Sequence, residues 1–123
     1  MSRAGTTMKA MVLRQRDLPL TWEDVDRPTP AADEVLIEVM ACGADRTDLM
    51  VLDGFGYVPE LPFTFGHETA GLVAEVGSSV TDFSPGDRVI AYNYFFCGTC
   101  RFCRIHREQL CVDMDGLLGI VGR

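Results

Sequence analysis

Short runs of apolar and β-branched residues, separated by turn residues, recur along the chain. The clearest run is Glu34-Val-Leu-Ile-Glu-Val-Met40, which is bounded by turn signals and predicts a β-strand. Thr69–Val76 alternates small and apolar residues as a half-buried strand does. In all we predict five strands, at Lys9–Leu13, Leu20–Asp26, Glu34–Met40, Thr69–Val76 and Arg88–Tyr92.

One segment has helical rather than alternating spacing. Leu49, Met50 and Leu52 predict a short helix between Asp45 and Asp53, with Asp45 as its N-cap and Gly54 as its end. Many short strands, one short helix and no internal repeat indicate a mainly β domain. The predicted architecture is a small, partly open β-barrel with short helices.

Length and charge limit the classes of function. The 123 residues suit one domain, and we predict a disordered leader over residues 1–7 with order from Met8. The net charge of −7 argues against a nucleic-acid partner, and we interpret Arg101, Arg104 and Arg107 as a solvated surface. No apolar run reaches the ~20 residues of a membrane span, and the N-terminus has no secretory pattern. We therefore expect neither a nucleic-acid nor a membrane partner.

Cysteine usage is more informative than charge. Cys42 stands alone, whereas Cys97, Cys100, Cys103 and Cys111 lie within fifteen residues. This crowding is not the pattern of a secreted disulfide scaffold, and it favours a reducing, cytoplasmic location. The spacing C-x2-C-x2-C-x7-C lets neighbouring thiolates turn onto one metal while the longer return brings the fourth ligand, and Gly98 permits the first tight turn.

Three other interpretations of the four cysteines fit less well. A ferredoxin-type cluster has a short final gap followed by proline, whereas here seven residues intervene and Val112 follows. A redox Cys-x-x-Cys pair needs only two cysteines, and four unrelated thiols would not be this dense. We predict a structural zinc site, which is closed to substrate and orders its lobe without doing chemistry.

Three features then occur in a recognisable order. They are the turn "ACGADRTD" (41–48), the stretch "GHETAGLVAEVGSSV" (66–80) with "GDRV" (86–89), and the four-cysteine lobe. Together they resemble the zinc-containing alcohol dehydrogenases of the medium-chain dehydrogenase/reductase superfamily. The resemblance covers most of the chain from Met8 and implies a GroES-like catalytic domain over residues 8–123.

The resemblance also implies roles for individual residues. His67 corresponds to a ligand of a catalytic zinc, although a lone histidine would otherwise be taken as a core imidazole. Glu68 would act near it or as an alternate ligand. Thr47 matches the proton-relay hydroxyl and Asp48 the carboxylate that orients the zinc-bound histidine. Arg46 would meet a cofactor pyrophosphate, with a plain surface cation as the alternative.

The chain departs from the family pattern at the second zinc ligand. The pattern has a cysteine where this chain has Asp45, and zinc accepts carboxylate oxygen. Cys42-Gly-Ala-Asp45 also resembles the Cys-Gly-Thr-Asp of polyol and threonine dehydrogenases, so Cys42 is an alternate ligand. Motif fit favours Asp45. A third alternative has no catalytic zinc, as in quinone-reductase-like members of the superfamily.

No Gly-x-Gly-x-x-Gly follows a strand, and Gly116, Gly119 and Gly122 do not open a nucleotide-binding unit. The resemblance places the NAD(P) domain and a third zinc ligand beyond Arg123. We therefore expect a fragment of an NAD(P)-dependent alcohol or polyol dehydrogenase that takes a small alcohol or carbonyl substrate and is a homo-oligomer at full length. Alone it would bind zinc but turn over no substrate. A stand-alone zinc-binding interaction module is the alternative from another class.

Overall fold

The computed structural model describes residues 7–54 and 60–119. Among these residues it has eight strands and one α-helix. The strands are β1 (Thr7–Leu13), β2 (Thr21–Asp26), β3 (Val35–Gly43), β4 (Phe63–Thr64), β5 (Glu68–Val76), β6 (Arg88–Ile90), β7 (Tyr94–Phe95) and β8 (Gly116–Leu117), and the helix is α1 (Arg46–Leu52). Two 3-10 turns, Cys103–Ile105 and Glu108–Leu110, shape the lobe between β7 and β8.

The strands form three small antiparallel sheets. Their orders are β2-β1-β4, β3-β5-β6 and β7-β8. The long β3–β5 pair carries two register shifts, between Leu36 and Ile37 and between Val39 and Ala41, which indicate β-bulges. The open sheets confirm the prediction of a mainly β, partly open architecture.

The buried core of the described residues is small. Leu13 is 2% exposed, and Ala10, Val12, Val51 and Val73 are also buried. Residues of β1, β2, β3 and β5 line an open cleft of about 730 Å³ between the first two sheets. On β5 the residues Thr69, Gly71 and Val73 are buried in alternation, which is the pattern that the sequence predicts for one inward face.

Most predicted elements are present with shifted ends. β2 starts at Thr21 rather than Leu20, and the strand predicted to reach Tyr92 ends at Ile90. Thr7, assigned to the leader, is the first residue of β1, while residues 1–6 of the leader lie outside the described residues. Residues 55–59, which follow Gly54, lie outside the described residues as well.

The helix confirms its predicted limits, and its buried apolar residue is not one of the three whose spacing predicted it. Asp45 is the N-cap, and Gly54 follows the C-cap with φ +73°, a left-handed conformation that ends a helix at low cost for glycine. The buried apolar residue is Val51, whereas Leu49 is 61% exposed. None of the described helices is long and apolar enough to cross a membrane.

Candidate metal centre

The turn from β3 into α1 is held by a reciprocal capping box. The backbone N–H of Thr47 donates to Oδ1 of Asp45 at 2.6 Å, and the backbone N–H of Asp45 donates to Oδ2 of Asp48 at 2.9 Å. These bonds satisfy two of the donors that a helix start leaves without partners. They also fix both carboxylates on the side of the turn that faces His67.

His67 lies between β4 and β5, and it is 7% exposed. Its Nδ1 lies 3.4 Å from Oδ1 of Asp48, and its Nε2 lies 3.7 Å from Oδ1 of Asp45. One ligand atom from each of these three residues falls within 4.8 Å of the others. The fold therefore brings together three residues that are separated by up to 22 positions in the sequence.

Two atoms of this cluster are buried without a hydrogen-bond partner among the described residues. They are Oδ1 of Asp48 and Nδ1 of His67, which approach each other without the geometry of a hydrogen bond. Buried polar groups are nearly always paired, so an unpaired couple marks a site that a small rearrangement or a ligand completes. Two carboxylates and one imidazole are suitable ligands for a divalent transition metal.

Asp45 is held in its charged form. Desolvation raises its pKa, but the backbone and side-chain hydrogen bonds from Thr47, the backbone of Asp48 and the nearby His67 together lower it below the usual value. The hydroxyl of Thr47 donates to Oδ2 of Asp45 at 3.3 Å. The predicted relay hydroxyl is thus in direct contact with the predicted ligand.

The other predicted residues of this site lie outside the cluster. Sγ of Cys42 lies 3.7 Å from Oγ1 of Thr69, and Cys42 lines the cleft between the sheets. The carboxylate of Glu68 lies over Gly43, where a Cβ would come within 2.0 Å of Oε2. Arg46 is exposed at the first helical position. The structure therefore groups Asp45 and Asp48 with His67, and does not bring Cys42 or Glu68 into that group.

The four cysteines of the lobe form a second, separate cluster. The Sγ–Sγ distances are 3.5 Å for Cys100–Cys103, 3.6 Å for Cys97–Cys111 and 4.0 Å for Cys97–Cys103. Four thiolates at ~2.3 Å from one zinc stand about 3.8 Å apart in a tetrahedron. The spacing of the four sulfurs therefore fits a zinc ion.

Backbone groups prepare the lobe for thiolates. The N–H of Cys100 donates to Sγ of Cys97, and the N–H of Cys97 donates to Sγ of Cys111, each at 3.4 Å. Backbone N–H groups, chiefly those of Cys103 and Val112, lower the pKa of Cys100 to about 6. Burial raises the pKa of Cys103 to about 12, and a bound cation would favour its thiolate form.

These observations define a class of protein: a GroES-like β domain with a four-thiolate lobe and a His/Asp cluster at the start of a short helix. A family model described as the alcohol dehydrogenase GroES-like domain matches residues 31–123, and the chain belongs to this family. The family resemblance, the mainly β fold and the four-cysteine cluster predicted from the sequence are thereby confirmed.

Individual relatives agree with this placement. Alcohol dehydrogenase class-3 of Pisum sativum is 39% identical over 114 residues, which are 93% of this chain and 30% of that protein. Acryloyl-coenzyme A reductase of Metallosphaera sedula is 41% identical over 104 residues, 85% of this chain and 31% of that protein. The cobalt- and zinc-bound thermostable alcohol dehydrogenase of Pyrobaculum aerophilum superposes with a TM-score of 0.89 at 35% identity, covering 96% of this chain and 36% of that one. The chain thus spans about a third of the length of these relatives.

One feature of the site is not predicted by the sequence pattern. Gly119 does not open a nucleotide-binding unit, yet it lies against the backbone of Gly66, next to His67. The signal in the sequence was the glycine itself, at a place where no turn was predicted. Only the long-range contact explains it.

Proposed function

We propose that the chain is the N-terminal catalytic-domain portion of a zinc-dependent alcohol or polyol dehydrogenase. The enzyme would transfer a hydride between a small alcohol and NAD or NADP. The observation that carries the proposal is the cluster of Asp45, Asp48 and His67, whose ligand atoms lie within 4.8 Å of one another. Support comes from membership of the family and from the metal-bound Pyrobaculum relative, which is an alcohol dehydrogenase.

In this proposal Asp45 and His67 hold the catalytic zinc, and further residues of the longer protein complete its ligands. The ion, when bound, supplies a Lewis acid that polarises the substrate oxygen and favours loss of the hydroxyl proton. Asp48 faces Nδ1 of His67 and sets the orientation of the ring, which leaves Nε2 towards Asp45 and the metal.

Thr47 would carry the substrate proton away. Its hydroxyl already donates to Oδ2 of Asp45, so it lies beside a proposed ligand and next to where substrate oxygen would bind. Arg46 is proposed to meet the cofactor pyrophosphate and Glu68 to act as an occasional ligand. The lobe zinc on Cys97, Cys100, Cys103 and Cys111 would be purely structural. We place the enzyme in the cytoplasm, as a homo-oligomer with no nucleic-acid or membrane partner.

A second candidate is a reductase that contains only the lobe zinc. It is favoured by the match to acryloyl-coenzyme A reductase and by the capping bonds that already occupy the carboxylate of Asp45. The two candidates differ in the number of metal ions per chain.

The experiment is metal analysis of the purified protein that carries this chain, together with NAD(P)-linked oxidation of a panel of small alcohols. We expect two zinc ions per chain and alcohol oxidation, and one zinc in the His67→Ala and Asp45→Ala variants. Cys42→Ala is the matched control and should retain both ions. One zinc in the unaltered protein would support the reductase instead, and loss of an ion in Cys42→Ala would assign the ligand to Cys42.

A further inference from the structure

Gly66, which precedes His67, lies close to both Cys42 and Gly119. Cys42 of β3 is the first neighbour, because a Cβ on Gly66 would come within 2.6 Å of Sγ of Cys42. Gly66 has φ +123°, a backbone conformation that glycine adopts readily and other residues adopt at a cost. A side chain at position 66 would therefore collide with Cys42.

Gly119 is the second neighbour of Gly66. A Cβ on Gly119 would come within 1.9 Å of the carbonyl oxygen of Gly66 and 2.4 Å of its carbonyl carbon. These two atoms belong to the peptide group that joins Gly66 to His67. The backbone of Gly119 is thus in close contact with the peptide group that carries the histidine, and glycine is the residue type that permits this approach.

Gly119 is held in place by the β7–β8 ribbon, the antiparallel strand pair that closes the cysteine lobe. The backbone N–H of Leu118 donates to the carbonyl of Asn93, and that of Asp115 donates to the carbonyl of Phe95, each at 2.8 Å. β7 and β8 pair between these bonds, with Tyr94 opposite Leu117. All four cysteines lie in the connection between these two strands.

The lobe contains few buried apolar residues. Cys103 and Cys111 are buried, whereas Ile105, Leu110 and Val112 are 46–62% exposed. A segment with so little apolar burial depends on its metal for order. Loss of the lobe metal would loosen the ribbon and, with it, the segment that bears on Gly66.

We propose that Gly119 is a positioning residue that couples the cysteine lobe to the Asp45, Asp48 and His67 cluster. The ribbon β7–β8 holds Gly119 against the Gly66–His67 peptide. The lobe metal thereby helps to place the imidazole towards the two carboxylates. The metal-binding part of this proposal rests on the proposed role of His67.

The test compares Gly119→Ala with Gly86→Ala. Both glycines have positive φ, +62° and +96°, so both substitutions strain the backbone. A Cβ on Gly119 would collide with Gly66, whereas a Cβ on Gly86 would have nothing within 4 Å among the described residues. The pair therefore separates backbone strain from displacement of the Gly66–His67 peptide.

Cobalt(II) titration gives the first measurement. Cobalt in the lobe has a thiolate charge-transfer band, whereas cobalt bound by Asp45 and His67 is seen by its weaker d–d bands. We expect Gly119→Ala to keep the thiolate band and to bind the second cobalt about tenfold or more weakly, by analogy with other residues that orient metal ligands. Gly86→Ala should match the unaltered protein. Equal second-site affinity in both variants would overturn the coupling.

Amide hydrogen exchange gives a second measurement that needs no variant. In the unaltered protein, removal of the lobe metal should speed exchange at residues 65–67 more than in β1, which serves as the internal reference. An equal change in both regions would overturn the proposal. If the unaltered protein binds cobalt only in the lobe, the proposed catalytic metal role is wrong, and this exchange difference still decides the coupling.

Discussion

Asp48 has two contacts that can be removed separately. Its Oδ2 accepts the backbone N–H of Asp45 at 2.9 Å, and its Oδ1 faces Nδ1 of His67 at 3.4 Å. Asp48→Ala removes both contacts. Asp48→Asn keeps a carbonyl oxygen that can still accept from Asp45 but loses the charge that faces the imidazole.

The structure sets the size of each effect. Loss of one reciprocal capping bond at a residue that is 8% exposed should cost about 1–2 kcal/mol of unfolding free energy in Asp48→Ala. For a chain of this size that corresponds to a fall of about 3–8 °C in Tm. Asp48→Asn keeps the acceptor of the capping bond, so it should be more stable than Asp48→Ala by about 1 kcal/mol.

The affinity of the second metal site should depend on the other contact, between Oδ1 of Asp48 and Nδ1 of His67. Loss of a carboxylate that orients a ligand histidine typically weakens binding about 10–100-fold, or about 1.4–2.7 kcal/mol. We expect that loss at the second metal site in both variants of Asp48. Asp53→Ala, at the exposed C-terminal end of the same helix, is the control and should change neither quantity.

The free energy of unfolding is measured in urea on protein that carries one equivalent of zinc. The affinity of the second metal site is measured by titration with a second equivalent. Two results would refute the reasoning. If Asp48→Asn binds the second metal as tightly as the unaltered protein, the carboxylate does not orient His67. If Asp48→Ala is as stable as Asp48→Asn, the capping bond does not contribute to the free energy of unfolding.

Four further predictions concern other parts of the chain. Asp45→Cys should raise the affinity for cadmium relative to manganese by about tenfold or more, because thiolate is the softer ligand; an unchanged ratio in competition titrations would exclude residue 45 as a ligand. Leu13→Ala should lower the free energy of unfolding by about 2–5 kcal/mol in urea, since Leu13 is 2% exposed; a loss under about 1 kcal/mol would contradict its role in the core. Cys103→Ser should lose the lobe zinc in metal analysis while Cys42→Ser retains it, because Cys103 lies in the four-sulfur cluster and Cys42 does not. Hydrogen bonds from Arg14 and Thr21 lower the pKa of Glu23 from 4.5 to about 2. The stability that this carboxylate contributes is therefore present above pH 4.5 and disappears as the pH falls towards 2. The difference in unfolding free energy between the unaltered protein and Glu23→Gln should narrow over that range.

Local patterns predicted much of this molecule. The cysteine spacing predicted the lobe, because neighbouring ligands in a short segment can reach only a few arrangements. Asp45 was predicted as an N-cap because its side chain needs only the N–H group two residues later, and Thr47 supplies that group. The two-residue strands β4, β7 and β8 were missed, since they consist of pairings between distant segments rather than of a periodic pattern.

The choice between Asp45 and Cys42 shows what the sequence left open. Motif fit allowed both residues, and only the fold shows that Cys42 faces the cleft and Thr69 while Asp45 faces His67. The register shift between Val39 and Ala41 lies just before Cys42, and a shift of one residue sends a strand's side chains to the opposite face. A bulge of this kind has no reliable signature in one sequence.

The sequence by itself determined the ligand types, the lobe, the helix start and most strands, because each depends on residues that are near one another in the chain. Tertiary structure alone decided that Nε2 of His67 lies 3.7 Å from Asp45, that Nδ1 lies 3.4 Å from Asp48, and that Gly119 lies close to the Gly66–His67 peptide. These are contacts across 19 to 53 positions of sequence. Distances of a few ångströms between such distant residues depend on strand register, bulges and packing, which no local pattern specifies.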